Sequence, residues 1–104
     1  MSTDKEFITY LLDALRPIGN LGAKSMFGEY GLYMDNKIIG LVCDNQLFLK
    51  ITEAGRAVLG DEAVEAPAYP GSKPYFLIES VEDTEIMTRL IHKSWQELPF
   101  KKKK

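Results

Sequence analysis

A single cysteine and a single histidine stand among 104 residues. One thiol cannot close an internal disulfide, and one Cys with one His falls short of the ligand set of a structural zinc site. Cys43 lies inside the apolar run "IIGLVCD", where a thiol behaves as a small hydrophobe. Long apolar runs are missing as well. None approaches the roughly 20 residues of a membrane helix, so no membrane partner is expected. The start, "MSTDKEF", has neither the basic region nor the apolar core of a signal peptide, which makes the cytoplasm the expected compartment. There is no GxSxG elbow and no P-loop. "GAKS" at 22–25 lacks the first half of a Walker motif and sits after a helix and before a strand, the wrong order. Nothing in the spacing brings Cys43, His92 and a third orienting group together as nucleophilic catalysis requires. His92 falls among polar and charged neighbours and is expected to be solvated. No catalytic residue, metal ligand or cofactor is assigned.

A basic surplus is also lacking. The chain has 13 Lys and Arg against 15 Asp and Glu, and four of those bases are the final lysines, Lys101 to Lys104, which leaves nine against 15 over residues 1–100. Such a body repels phosphate backbones, so direct DNA binding is expected to be weak or absent. The lysine tail, 101–104, is expected to be a solvated, disordered end. The 45% hydrophobic and 27% charged residues are ordinary for a folded chain, and the length suits one core, hence one domain over residues 1–100.

Apolar residues at Phe7, Leu11, Leu15 and Ile18, with Ile8 and Leu12 beside them, predict a helix over residues 3–18. Thr3 or Asp4 would cap it, with Glu6 completing a capping box, and Pro17 would end it. Short strands follow at 24–27, 32–34, 38–43 and 46–51, the last alternating Leu47, Leu49 and Ile51 against Phe48 and Lys50. "DN" at 35–36 and again at 44–45 suits tight hairpin turns. Thr52 caps a short helix, "EAGRAVLG", that Gly60 closes. Residues 61–73 read as an ordered surface loop. "PYFLIE" is a fifth strand, and a last helix over 83–98 buries Ile86, Met87, Leu90, Ile91, Trp95 and Leu98. The fold class is α+β: an antiparallel sheet of about five strands, two long helices packed on one face, and a short helix in a connection.

That arrangement leaves a second sheet face carrying Phe48 and Lys50, with Tyr33 and either Tyr75 or Phe76. Uncovered aromatics suggest a contact surface for a protein partner or a homodimer. The alternative is that the loop at 61–73 folds over them. Polar residues that can converge nearby are Glu29, Tyr30, Lys50, Arg56, Tyr69 and Lys73. Lys50 and Arg56 could together hold a carboxylate or another anion; otherwise Lys50 is solvated and Arg56 pairs with Glu53 or a neighbouring acid. The candidate binding residues are therefore Glu29, Tyr30, Phe48, Lys50, Arg56, Tyr69, Lys73 and Tyr75.

Three segments, "MFGEYGLYMDNKIIGLVCDNQLFLKITEAGR", "YPGSKPYFLI" and the "LP" before the lysines, together resemble the N-terminal domain of the TfoX (Sxy) family. The likeness spans residues 24–99 in order. The matching positions are Met26, Phe27, Gly28, Gly31, Lys50, Gly55, Arg56, Tyr69, Pro70, Gly71, Pro74, Tyr75 and Phe76. Asn36 stands where glycine is common, and Lys24-Ser25 where an arginine is common. The resemblance implies an α+β domain with an antiparallel sheet, and a role in regulating natural competence in bacteria. It further implies that longer members carry a helix-hairpin-helix-like second domain and act on transcription with a cyclic-AMP receptor protein. No catalytic residues come with it. A non-enzymatic regulatory domain working through protein contacts is the leading expectation. A small-molecule-binding or enzymatic cleft near Glu29, Lys50, Arg56 and the 69–74 loop is the alternative.

Overall fold

The computed structural model describes residues 3–26 and 29–98. Phe27, Gly28, Pro99 and the lysine tail, all given roles above, lie outside the described residues. Helix α1 (Lys5–Leu15) turns Ile8, Leu11 and Leu15 inward, as its 3.6-residue spacing predicts. It starts later than expected, and the capping box does not form. The Thr3 hydroxyl instead donates to Glu29 Oε1 at 2.7 Å and accepts from the Asn45 N–H at 3.3 Å. The Asp4 N–H donates to Asn45 Oδ1 at 2.9 Å. Partners 26 to 42 residues away win over the local cap because they also pin the helix to a hairpin of the sheet. The helix stops at Leu15, ahead of Pro17, and the buried Ile18 follows in a turn.

Strands β1 (Leu21–Met26), β2 (Glu29–Met34), β3 (Lys37–Cys43), β4 (Gln46–Leu49), β5 (Glu65–Pro67) and β6 (Pro74–Ile78) form one antiparallel sheet in the order β1-β2-β3-β4-β6-β5. There are six strands where about five were expected. The additional one, β5, lies in the segment expected to be a loop: three residues, one of them proline, are too few to show alternation. The two hairpin turns behave as their "DN" pairs predict. Asp35 and Asn36 have φ of 49° and 69°, and Asp44 and Asn45 have 54° and 59°, the left-handed backbone of turns that match strand twist. Between them β3 carries a bulge. Leu32 pairs with Gly40 and Tyr33 with Ile38, leaving Ile39 as the extra residue.

Helix α2 (Glu53–Leu59) begins at Thr52, whose hydroxyl accepts from the Gly55 N–H at 2.9 Å and shares a buried 2.8 Å bond with Ser94 Oγ. Gly60, at φ +58°, closes the helix. Thr52→Val keeps the shape, removes the cap and leaves the buried Ser94 hydroxyl without this partner. The expected loss is about 2 kcal/mol in urea unfolding, and a variant as stable as the wild type would contradict the shared role of that hydroxyl.

Helix α3 (Thr84–Glu97) buries Met87, Leu90, Ile91 and Ser94. Ile86, expected in the buried stripe, is 38% exposed, and Ser94 takes an inward position instead. His92 is not simply solvated. Its Nε2–H donates to the Ile18 carbonyl at 2.6 Å, tying α3 to the turn after α1. Near the end of α3 the Trp95 indole N–H donates to the Met34 carbonyl at 2.7 Å. Lys37, only 4% exposed, donates to the Trp95 carbonyl at 2.6 Å and lies 3.9 Å from the centre of the indole ring. Glu97 reaches back to accept the Glu53 and Ala54 N–H groups, both at 3.0 Å, which holds its carboxyl below the usual range. One core therefore joins α1, α3 and the inward faces of the sheet through Leu32, Val42, Leu47, Leu49 and Phe76. No described helix is long and apolar enough to cross a membrane.

Candidate functional site

Alternation along the strands decides what faces away from that core. Leu47 and Leu49 of β4 point into it, so Phe48 and Lys50 face the other side; Phe76 points in, so Tyr75 faces out with Leu77. The choice left open between Tyr75 and Phe76 is thus settled for Tyr75. The aromatic face is not uncovered, however. Phe48 is 4% and Tyr75 7% exposed, in a second small core with Cys43 and Ala68, flanked by Leu41, Ala66 and Leu77. The alternative expectation, that the 61–73 segment folds over this face, describes the structure. Strand β5 brings Ala66 there, and the turn after it is fixed by Ser72. The Ser72 hydroxyl accepts from the Ala68 N–H and donates to the Lys73 carbonyl, both at 2.9 Å. Gly71 supplies the turn's φ of +88°.

Beside this cover the face opens into a cavity of about 650 Å³. Glu29, Tyr30, Lys50, Tyr69, Lys73 and Tyr75 all line it, together with Ile38, Leu41 and Cys43. Six of the eight candidate residues therefore meet. Phe48 does not line it; it lies in the small core beside it. Arg56 does not join Lys50. It pairs with Glu65 at 3.4 Å, both side chains well exposed, a contact worth little in water. Lys73 is the second cation instead. Sequence reading missed Ile38, Leu41 and Cys43 because the β3 bulge breaks the alternation that would have placed them.

The cavity is electrically polarised along the strands. At one end Glu29 Oε1 accepts from the Thr3 hydroxyl and from the Asp44 N–H at 3.1 Å. Burial first, then the charges of Glu29 and Asp44, push the Cys43 thiol up, which suppresses the thiolate a nucleophile needs. At the other end Lys50, half-buried, follows Leu49, and its N–H bonds the Ile39 carbonyl at 2.9 Å. Burial, then the neighbouring Lys73 charge, lowers the Lys50 ammonium from the ordinary lysine range. Neither lysine pairs with a carboxylate among the described residues. Tyr75 is raised by burial and by Tyr69 beside it, so its phenol stays protonated as a hydrogen-bond donor.

A second groove, of about 490 Å³, lies where Val58, Val64 and Ile86 meet; its charged lining residues, Glu62, Glu79 and Asp83, are all acidic, and no candidate residue lines it. Among the described residues no group of three or more His, Cys, Asp or Glu is placed to hold a metal ion.

Comparison with known proteins points one way. The family model for the TfoX N-terminal domain matches residues 13–98, a span that holds every residue lining the cavity. The chain is also 38% identical over 81 residues to an uncharacterized 12.7 kDa protein of Spirochaeta aurantia, described as lying in the trpE 5′ region; the match covers 78% of this chain and 70% of that protein.

Proposed function

Because the chain belongs to the TfoX N-terminal domain family, we propose that it is a non-enzymatic regulatory domain that works by binding, with the cavity on the helix-free face of the sheet as its recognition site. The observation that carries this reading is the convergence of Glu29, Tyr30, Lys50, Tyr69, Lys73 and Tyr75 on one cavity of suitable size for a small molecule. The covered aromatics turn the reading away from a flat docking face, since Phe48 and Tyr75 are already packed within the chain. In this proposal a protein partner, of the transcription machinery or a cyclic-AMP receptor protein, responds to whether the cavity is filled. Contact with DNA is left to that partner, in keeping with the acidic body of this chain.

The test is a thermal-shift screen of metabolites on the wild type and on Leu41→Trp, which puts an indole into the cavity. At least one compound is expected to raise the melting temperature of the wild type and leave the variant unmoved, by ligand linkage. Compounds that move both proteins alike would place binding elsewhere, and silence across a broad panel would overturn the reading.

A further inference from the structure

We propose that the cavity takes a small organic anion with an apolar body, its carboxylate or phosphate held between Lys50 and Lys73 and its body laid over Ile38, Leu41 and Tyr75 toward Glu29. The inference rests on the reading of this cavity as the recognition site and names the class of molecule that fills it.

Three features of the cavity select that chemistry. First, two ammonium groups stand close enough to repel one another, one of them half-buried, and neither meets a carboxylate among the described residues. An anion between them removes the repulsion and supplies charge-assisted hydrogen bonds, an arrangement water matches poorly for a desolvated lysine. The two lysines also line a neighbouring hollow with Ile51 and Pro74, so the anionic end can be reached from outside. Second, Ile38, Leu41 and Cys43 give the space between the poles an apolar lining, with Tyr30, Tyr69 and Tyr75 around it, the usual composition of a small-molecule site. Third, the far end is acidic. Cys43, next to Glu29, pairs with Gln46, and Lys50, the residue after β4, lies four residues beyond Gln46. The two poles are thus offset by about 13 Å along the strands and, with β3 between β2 and β4, by roughly 10 Å across them. The negative pole fixes direction: an acid enters with its charge at the lysines and its tail toward Glu29, and a second acid group on the tail meets repulsion.

The probes are octanoate, octyl phosphate, octanamide and the eight-carbon diacid suberate, titrated calorimetrically into the wild type and into Lys50→Met, Lys73→Met and Leu41→Trp. Octanoate or octyl phosphate is expected to bind at least tenfold more tightly than octanamide, and suberate more weakly than octanoate. The stronger of the first two tells a carboxylate site from a phosphate site. Each lysine variant is expected to lose at least tenfold in affinity for the anion with octanamide unchanged, its fold checked by circular dichroism and melting temperature. Equal binding of acid and amide, or lysine variants that hold octanoate as tightly as the wild type, overturns the anion assignment. Failure of all four probes does the same. The wider reading survives those results if a compound from the screen still loses its effect in Leu41→Trp, and falls with them if none does.

Discussion

Gly40→Ala is expected to cost about 3 kcal/mol, a fall in melting temperature of roughly 15 °C for a domain of this size. A Cβ at this position would lie 2.2 Å from the Phe48 carbonyl oxygen and 3.0 Å from both Leu49 Cα and Leu49 Cδ2. Two of those three atoms belong to the main chain of β4, which is hydrogen-bonded to β3 on one side and β6 on the other. They cannot swing aside as a side chain does. Gly40 follows the bulge at Ile39 and pairs directly with Leu49, so only the absence of a side chain lets the two strands approach this closely. Gly22→Ala is the matched control, because a Cβ there meets nothing within 4 Å. Its expected change is within about 0.5 kcal/mol. Urea unfolding of both variants decides the matter, and a Gly40→Ala protein that melts within about 2 °C of the wild type would refute the close approach of β4 to this glycine.

Gly55→Ala is expected to destabilise by about 2 kcal/mol although alanine is the better helix former by about 1 kcal/mol. The added methyl would sit 2.8 Å from Phe76 Cε2, 2.8 Å from Thr52 Oγ1 and 3.2 Å from Leu90 Cδ1. Phe76 is 0% exposed and Thr52 is held by two hydrogen bonds, so neither yields freely. The contact with the ring is specific enough to read in a double-mutant cycle. Phe76→Leu makes room on that side at its own cost. The double variant is expected to be more stable than the sum of the two losses by at least about 1 kcal/mol. Additivity within about 0.5 kcal/mol would mean that the glycine is there for some reason other than the ring.

The parts of the fold that sequence reading reaches are those with local causes. The spacing of Leu11 and Leu15, the "DN" pairs and the Thr52 to Gly60 bracket each act within a few residues, and each appears in place. The parts it misses have distant causes. Thr3 was free to cap its own helix, but Glu29 and Asn45 come to it only once the sheet is formed. Lys37 lies between the turn at 35–36 and the strand expected at 38–43, where nothing local asks for burial, and it is the end of α3 that covers it. Ser94 takes an inward position that composition would give to Ile86, because Thr52 waits there with a hydroxyl. The site divides in the same way. Alternation put Phe48 and Lys50 on one face, yet only the packing of Ala68 and Ala66 into the same cluster shows that Phe48 is covered. The missed strand also left Arg56 without its partner, Glu65, and so left it free on paper to join Lys50.

The short strand at the end of the sheet has a consequence for how molecules of this protein can associate. The Leu77 N–H bonds the Val64 carbonyl, and the antiparallel pattern then turns Ala66 toward β6, leaving Glu65 and Pro67 to face outward. Proline has no N–H to offer, so that rim of the sheet presents one main-chain donor, beside a carboxylate. A second chain seeking to extend the sheet finds almost no template there. Polymerisation by strand addition is closed at β5, and β1 is left as the single rim along which two copies could be stitched into a continuous sheet.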